Sequence, residues 1–589
     1  PVLVVAIILA ACAPASQQLA ATDDAVHAIL SQRRTEAIGH DEPFTVERPA
    51  DLLRRRLQEA QDLPASGPAA LGSDALPPPA GWPVAPAPPA PADAPLTPLP
   101  SPLVLSLAEA LAVGARNSRE YQTAKEEVFR AGLDLNLAAL RFTASWAGTV
   151  AALLESDASG SRTATGLTSH ADLAAAQQLT SGLAWTASLA VDLVRLLTLD
   201  RASSLGLIAD ATITLPLLAG SGRDIVREPL TQAEREVTYA LWAFEEYKRR
   251  FAVDLATDFL NVLQAWDVMD NAAANHRRLA ASAARARRLG EAGRLSEIQV
   301  SQAVQNELRA RSRLLAAQEA LANRLDQFKI ALGLPADAAL EPDRQELHRL
   351  LAQPDEMHQP NPGAAAGHLS MEAEAAVRLA LAQRLDLRVA LGRVEDAQRA
   401  VLVAADALRP GADLVLAATA GEARSLASAS LSDARLRLDR GLASAALAVD
   451  LPLDRRAEVI ALRARLLDLE AAIRAVQALE DEIKAAVRAD LAALATAGEE
   501  IAVQTTAVAL AERRVASANL FLEAGRAQIR DLLDAQDSLL LAQNARTAAL
   551  VSYRLAELAL QRDLGALAVD SAGLWQEYRP GRTDDGDGS

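Results

Sequence analysis

The chain has a single cysteine, Cys12, in 589 residues, so no disulfide can form within it. Aromatic residues make up 3%, too few for a set of ordinary globular cores, and lysine occurs only at Lys125, Lys248, Lys329 and Lys484. The seven histidines (His27, His40, His170, His276, His348, His358, His368) are scattered, with no pair at zinc-ligand spacing. A Gly-rich phosphate loop, a GxSxG elbow and an HExxH pair are all missing. A net charge of −17 lacks the basic balance of a nucleic-acid binder. These absences argue against catalysis, a bound metal or cofactor, and nucleic acid as a partner. What remains is rich in Ala, Leu and Arg, a composition suited to long packed helices.

The first twelve residues, PVLVVAIILAAC, are aliphatic and end in Leu9-Ala10-Ala11-Cys12. They look like the hydrophobic region of a secretory signal closing on a bacterial lipobox, with the sequence beginning inside its signal. The expectation is a signal remnant over 1–11 and a covalent diacylglycerol on the Cys12 thiol, because a thioether needs that sulfur. Eleven residues are too few to span a bilayer as a helix. The residue after Cys12 is Ala13 rather than Asp, which by resemblance to bacterial sorting points to the outer membrane.

The tetrapeptide EAGR occurs twice, at Glu291-Ala292-Gly293-Arg294 and Glu523-Ala524-Gly525-Arg526, 232 residues apart. At the same offset Asp258 falls on Asp490, Ala303 on Ala535, Leu308 on Leu540, and Leu332-Gly333 on Leu564-Gly565. A register kept over that distance is an internal duplication.

Between Pro229 and Pro335, and again between Pro452 and Pro580, proline is absent. The first interval predicts a helix from about Thr231 to Leu289, ~90 Å long at ~1.5 Å per residue, a break at the Gly293 turn and a returning helix. The second repeats the plan, with Leu462, Leu466, Leu469, Ile473 and Val476 stepping by four and three in a coiled-coil-like seam. Before each long helix lies a shorter helical stretch, the first opening with a capping box at Ser106 and Glu109.

Strand-like alternation follows those shorter stretches: TASWAGTVAALLES, GLAWTASLAVDLVRL and LGLIADATITLPL in the first half, ADLVLAATAGEARS and LRLDRGLASAALAVDLPL in the second. DASGSRTATGLTSH reads as a loop, which leaves one β-hairpin per half and four strands per chain. Four strands cannot close alone, and an open edge cannot survive in lipid, so a barrel would need other chains. Trp146 and Trp185 are almost the only aromatics available for interface girdles. The reading divides the chain into 1–11, a lipidated N-terminus with a short helix in ADLLRRRLQEAQ and a Pro-rich tether over 12–103, repeats over 104–350 and 351–570, and an acidic tail over 571–589.

The element order, with FLEAGRAQIRDLLDAQDSLLLAQNA (521–545), RLGEAGRLSEIQVSQAVQNEL (288–308) and ATDFLNVLQAWD (256–267), resembles the outer membrane efflux proteins, or TolC family, over roughly 104–570. The resemblance implies a mainly α fold with a small β part. Duplicated helical hairpins would form a trimeric α-barrel, continued by a 12-stranded β-barrel. It implies an exit duct for efflux or type I secretion, with a periplasmic adaptor and an inner membrane pump as partners and no cofactor beyond the lipid. It places Glu291, Gly293, Arg294, Glu523, Gly525 and Arg526 at a periplasmic tip that docks the adaptor. Where the family often closes the tip with an ion pair this chain has Gln299 and Ala527, which leaves Arg526, Arg530 and Asp531 as the candidate gate. The alternative is a lipid-anchored periplasmic coiled-coil adaptor or envelope spacer.

Overall fold

The protein is described here from a computed structural model. It covers residues 15–39, 44–46, 53–72, 75–82, 102–158, 164–198, 202–352, 371–437, 441–451 and 453–578. Cys12, most of the Pro-rich stretch and residues 579–589 of the acidic tail lie outside the described residues.

The duplication is visible in helix lengths. In the first half α3 (Leu107–Asn117, 11 residues) and α4 (Arg119–Leu140, 22) lead to the sheet, and α5 (Arg223–Glu291, 69) and α6 (Glu297–Ala331, 35) leave it. In the second, α8 (Ala373–Gln383, 11) and α9 (Leu385–Asp406, 22) lead in, and α10 (Arg456–Glu523, 68) and α11 (Ile529–Asp563, 35) lead out. Preceding them, α1 (Ala15–Ile38) and α2 (Leu53–Ala60) lie near the N-terminus. A short α7 (Gln345–Ala352) links the halves. Helix α5 starts eight residues before the predicted Thr231 and contains Pro229 in its second turn, where the ring cannot donate to the carbonyl four residues back.

Sheet formation breaks the symmetry. The segment between α4 and α5 is 141–222 (82 residues), whereas that between α9 and α10 is 407–455 (49). The first holds β2 (Ser145–Asp157), β3 (Ala164–Gln178), β4 (Ala184–Leu196) and β5 (Ser203–Pro216). The second holds β7 (Gly411–Glu422) and β8 (Leu442–Asp450). They form one antiparallel sheet in the order β2-β3-β4-β5-β7-β8. The expected four strands are therefore corrected to six among the described residues, and of the loop expected over 157–170, Asp157 ends β2 and 164–170 belong to β3. It pairs with both neighbours along its length, from Ser145↔Ala176 to Asp157↔Ala164 on one side and Gly166↔Leu196 to Gln178↔Ala184 on the other. Small parallel pairing joins β1 (Leu103–Leu105) to β6 (Leu340–Pro342), and β9 (Ala568–Val569) pairs with β10 (Trp575–Gln576).

Below the sheet, α5 packs against α4, α6, α9 and α11, while α10 packs against α9 and α11. The largest core, with Phe259, Phe328, Leu263, Leu332 and Leu558, lies where α5, α6 and α11 meet. A matching second-half core holds Ile483, Val487, Leu494, Leu550 and Leu560. Helix α1, not foreseen in the sequence, buries Val26 and Leu30 against α4 and α5. The N-terminal region is thus partly docked on the body.

Candidate functional site

Strand register sorts the sheet residues onto two faces, because side chains alternate along each strand. One face carries Trp146, Val150, Leu154, Leu167, Leu173, Leu189, Ile213, Leu416, Leu447 and Val449, brought into rows by the pairing and all exposed. The other carries Thr149, Thr168, His170, Asp172, Asp192, Asp210, Thr212, Asp413, Thr419 and Ser444. An exposed apolar face backed by a polar one is the pattern of a membrane barrel wall. Trp146 and Trp185 lie on the apolar face near the helix end of the sheet, Trp185 donating its indole N–H to Gln177 Oε1 at 3.2 Å. That gives a single aromatic belt where helices meet sheet.

The polar face is internally bonded. His170 Nδ1 lies 2.6 Å from Asp192 Oδ1, Thr419 donates to Asp210 Oδ1 at 2.6 Å, and Thr168 donates to Glu155 Oε2 at 3.4 Å. At the end away from the helices the segment after β7 folds back over this face. Arg424 N–H donates to Asp192 Oδ2 (3.2 Å), Ser204 Oγ donates to the Ser428 carbonyl (3.2 Å), and Leu205 N–H donates to Asp433 Oδ1 (2.8 Å). The sequence reading missed these residues; the cross-strand offset of His170 and Asp192 could not be read without the pairing.

At the opposite end the two EAGR turns have one geometry. Gly293 has φ +70° and Gly525 φ +69°, with nothing within 4 Å of an added Cβ. Arg294 N–H donates to the Leu289 carbonyl and Gly293 N–H to Gly290, as Arg526 does to Phe521 and Gly525 to Leu522. This double pattern is a helix C-cap closed by a left-handed glycine. Each following helix then opens with a capping box, Ser296 with Gln299 and Gln528 with Asp531. Asp531 Oδ2 accepts from Gln528 N–H at 2.9 Å, so its carboxylate is engaged in the cap. Arg530 pairs with Asp534 at 3.7 Å, and Glu523 reaches across to Arg285 at 3.6 Å. Among the described residues of one chain no ion pair joins Arg526 to Asp531, and Glu291, Gly293, Arg294, Gly525 and Arg526 all face solvent.

Midway along the helices a polar layer joins the repeats. Arg562 donates to Asp563 at 2.8 Å and Arg384 to Asp386 at 2.6 Å. Burial, then the hydrogen bond and charge of neighbouring Asp563, push Asp490 up to about 7. Its duplicate Asp258 is also raised, by burial first and then by Asp254. Asp563 stays below the ordinary carboxylate range: burial works the other way, but hydrogen bonds from Arg562 and Asp490 and nearby positive charge outweigh it. A carboxyl with a folded pKa near 7 binds its proton more tightly folded than unfolded, so it makes stability fall as pH rises from about 4 to about 7. Asp490→Asn should therefore raise stability at pH 8 by about 1 kcal/mol, discounted for partial solvent screening. The gain should shrink through pH 5 and nearly vanish at pH 4, where Asp490 is largely protonated in the unfolded chain as well as in the folded one. Thermal melts at pH 8 and pH 4 check this; an equal gain at both would assign it to something other than titration.

Among the described residues no helix is long and apolar enough to cross a membrane, and no cluster of His, Cys, Asp or Glu could hold a metal. The molecule thus belongs to the class of helical stave proteins that carry an amphipathic, membrane-type β-sheet at one end. Solved structures that align with it include outer membrane channels. CusC aligns with TM-score 0.56 and 13% identity, covering 80% of this chain and 98% of that one. The outer membrane protein VceC of Vibrio cholerae gives 0.55 and 15%, covering 78% and 96%. The CmeC outer membrane channel of Campylobacter jejuni gives 0.56 and 12%, covering 78% and 85%. No protein-family model and no curated protein sequence matches the chain. The chain therefore has the fold of the outer membrane efflux channels, and the structures it resembles are channels rather than enzymes.

Proposed function

We propose that the protein is a passive exit duct of the outer membrane, formed by three copies and continued by the helices across the periplasm. The carrying observation is that each chain stops at the same two sides in every layer. On one side are edge strand β2 and helices α4 and α6; on the other are edge strand β8 and helix α10. Both sides leave apolar residues bare: Leu137 and Leu140 on α4, Ile298, Leu308 and Leu315 on α6, and Val459, Ile460, Leu467, Val503 and Leu510 on α10. Long helices with unpartnered apolar stripes need neighbours along their length. Copies placed side by side supply them. A lone coiled-coil adaptor has no use for a six-stranded sheet with an apolar outer face, which counts against the alternative reading.

In this reading the lipid on Cys12 anchors the chain, the sheet crosses the outer membrane, and the two EAGR turns form the periplasmic tip. Glu291, Gly293, Arg294, Glu523, Gly525 and Arg526 present the adaptor-docking surface, and an inner membrane pump feeds the tube. Arg526, Arg530 and Asp531 narrow the tip through contacts between copies. The test is the mass of particles extracted in detergent, followed by conductance in planar bilayers. Trimers with a resting conductance are expected, raised several-fold by Arg526→Ala combined with Asp531→Asn, which keeps the cap acceptor. Monomeric particles without conductance would overturn the duct, and an unchanged conductance in the variant would remove the gate.

A further inference from the structure

We infer that the wall is closed by all six strands of each copy, β8 of one chain pairing with β2 of the next, so that three copies make an eighteen-stranded barrel rather than a twelve-stranded one. This rests on the duct reading, and the count is its new content. The β2–β3 hairpin is not an appendage lying on the sheet. It is bonded over thirteen residue pairs within itself and over thirteen more to β4, the longest ladders in the sheet. It also carries the same two faces as the rest, with Trp146, Val150, Leu154, Leu167 and Leu173 on the apolar one.

Three further arguments converge. First, six is even and every ladder is antiparallel, so β8 and β2 of adjacent copies run in opposite directions and the alternation passes through the seam unbroken. Second, both edges are open. Residues of β8 are exposed throughout and those of β2 almost throughout, and the two strands do not meet within the chain. In a bilayer their unpaired N–H and C=O groups would each cost several kcal/mol, which closure removes.

Third, the circumferences agree. Four helices per copy, α4, α5, α9 and α10, lie in the layer beneath the sheet. At ~9.5 Å per helix they occupy about 38 Å of arc. Strands ~4.8 Å apart and tilted ~40° take up ~6.3 Å each, so six strands cover about 38 Å and four only about 25 Å. Six strands continue the tube at its own width, about 36 Å in diameter for three copies, whereas four at the same tilt would cover about two thirds of it.

The seam is tested by cysteine pairs on the polar face of the full chain, with the unaltered protein, whose sole cysteine is Cys12, as control. Ala446→Cys in β8 is combined in turn with Ala147→Cys, Thr149→Cys or Ala151→Cys in β2, scanning the register. A parallel set combines it with Thr186→Cys, Ser188→Cys or Ala190→Cys in β4. After mild oxidation of detergent-extracted protein, a β2 partner should give covalent dimers and trimers on denaturing gels, and the β4 set should not. Trimers that cross-link only through the β4 set would overturn the eighteen-strand wall while leaving the duct intact. Trimers that cross-link through neither set would also overturn it. Monomeric protein in every variant and in the control would instead overturn the duct reading beneath it. Particle images of the unaltered protein give a second readout, a barrel about 36 Å across as against about 24 Å for twelve strands.

Discussion

Gly333→Ala should destabilise the protein by about 3 to 5 kcal/mol, whereas Gly293→Ala should cost about 1 kcal/mol. Both glycines end a long helix and both sit at positive φ, +77° and +70°. They differ in what surrounds them. An added Cβ at Gly293 meets nothing within 4 Å, so only the backbone conformation resists a side chain. At Gly333 it would lie 2.1 Å from the Asn117 carbonyl oxygen, 2.5 Å from that carbonyl carbon and 3.0 Å from Ser118 Cα. Those are backbone atoms at the break between α3 and α4, and they cannot swing aside as a flexible side chain can. The break itself depends on the contact, because α3 ends at Asn117 with its last turn against this glycine. Gly565, its duplicate, faces the α8–α9 break with its nearest atoms at 3.2 Å, so Gly565→Ala should fall between the two. Thermal unfolding of the three variants, extracted under identical conditions, gives the order. Equal losses at Gly333 and Gly293 would mean that the short helices do not press on the glycine as described.

Lys248→Met should cost about 3 kcal/mol, and Glu245→Gln in the same chain should return most of it. Lys248 is 1% exposed. Its ammonium lies 2.8 Å from Glu245 Oε2, 3.1 Å from the Val569 carbonyl and over the Phe244 ring. Methionine keeps the packed stem but leaves Glu245, itself buried, with Arg34 at 3.5 Å as its remaining described ion-pair partner. A buried carboxylate stripped of its counter-ion is costly, and neutralising it removes that cost. The same change frees β9, whose Val569 carbonyl Lys248 holds, so backbone amides of 568–576 should exchange faster. If the double variant is no more stable than the single, the loss comes from packing and not from stranded charge.

Much of the helical architecture was legible in residues. Proline-free intervals, the 232-residue repeat and the glycines at 293 and 525 located both hairpin turns within a few positions and the start of α5 within eight. The Ser106 and Glu109 capping box appears as read, with Glu109 N–H donating to Ser106 Oγ at 3.3 Å. The sheet was harder. In β3, ATGLTSHADLAAAQQ, only Leu167 and Leu173 are large and apolar, and the polar residues between them mimic a turn. A strand whose inner face is polar and whose outer face is mostly small carries little contrast along one segment. Helix α1 was missed for a related reason: much of its length is exposed, and Val26 and Leu30 are its fully buried apolar contacts. Asp531, read as a candidate gate residue, holds the cap of α11 within the chain, a role that the spacing from Gln528 already permitted.

Elements whose hydrogen bonds are local follow from the residues alone. A helix bonds each N–H four residues back, so its length, breaks and caps follow from proline, glycine and periodicity nearby. Repetition of that local pattern determined the two-fold plan. How many strands the chain contributes, which residues share the polar face and where the edges fall emerge only from the assembled sheet. Those depend on partners far away in sequence, as Leu207 on β5 pairs with Glu422 on β7. Strand pairing is non-local, and it turned a segment that reads as a loop into the second strand of the wall.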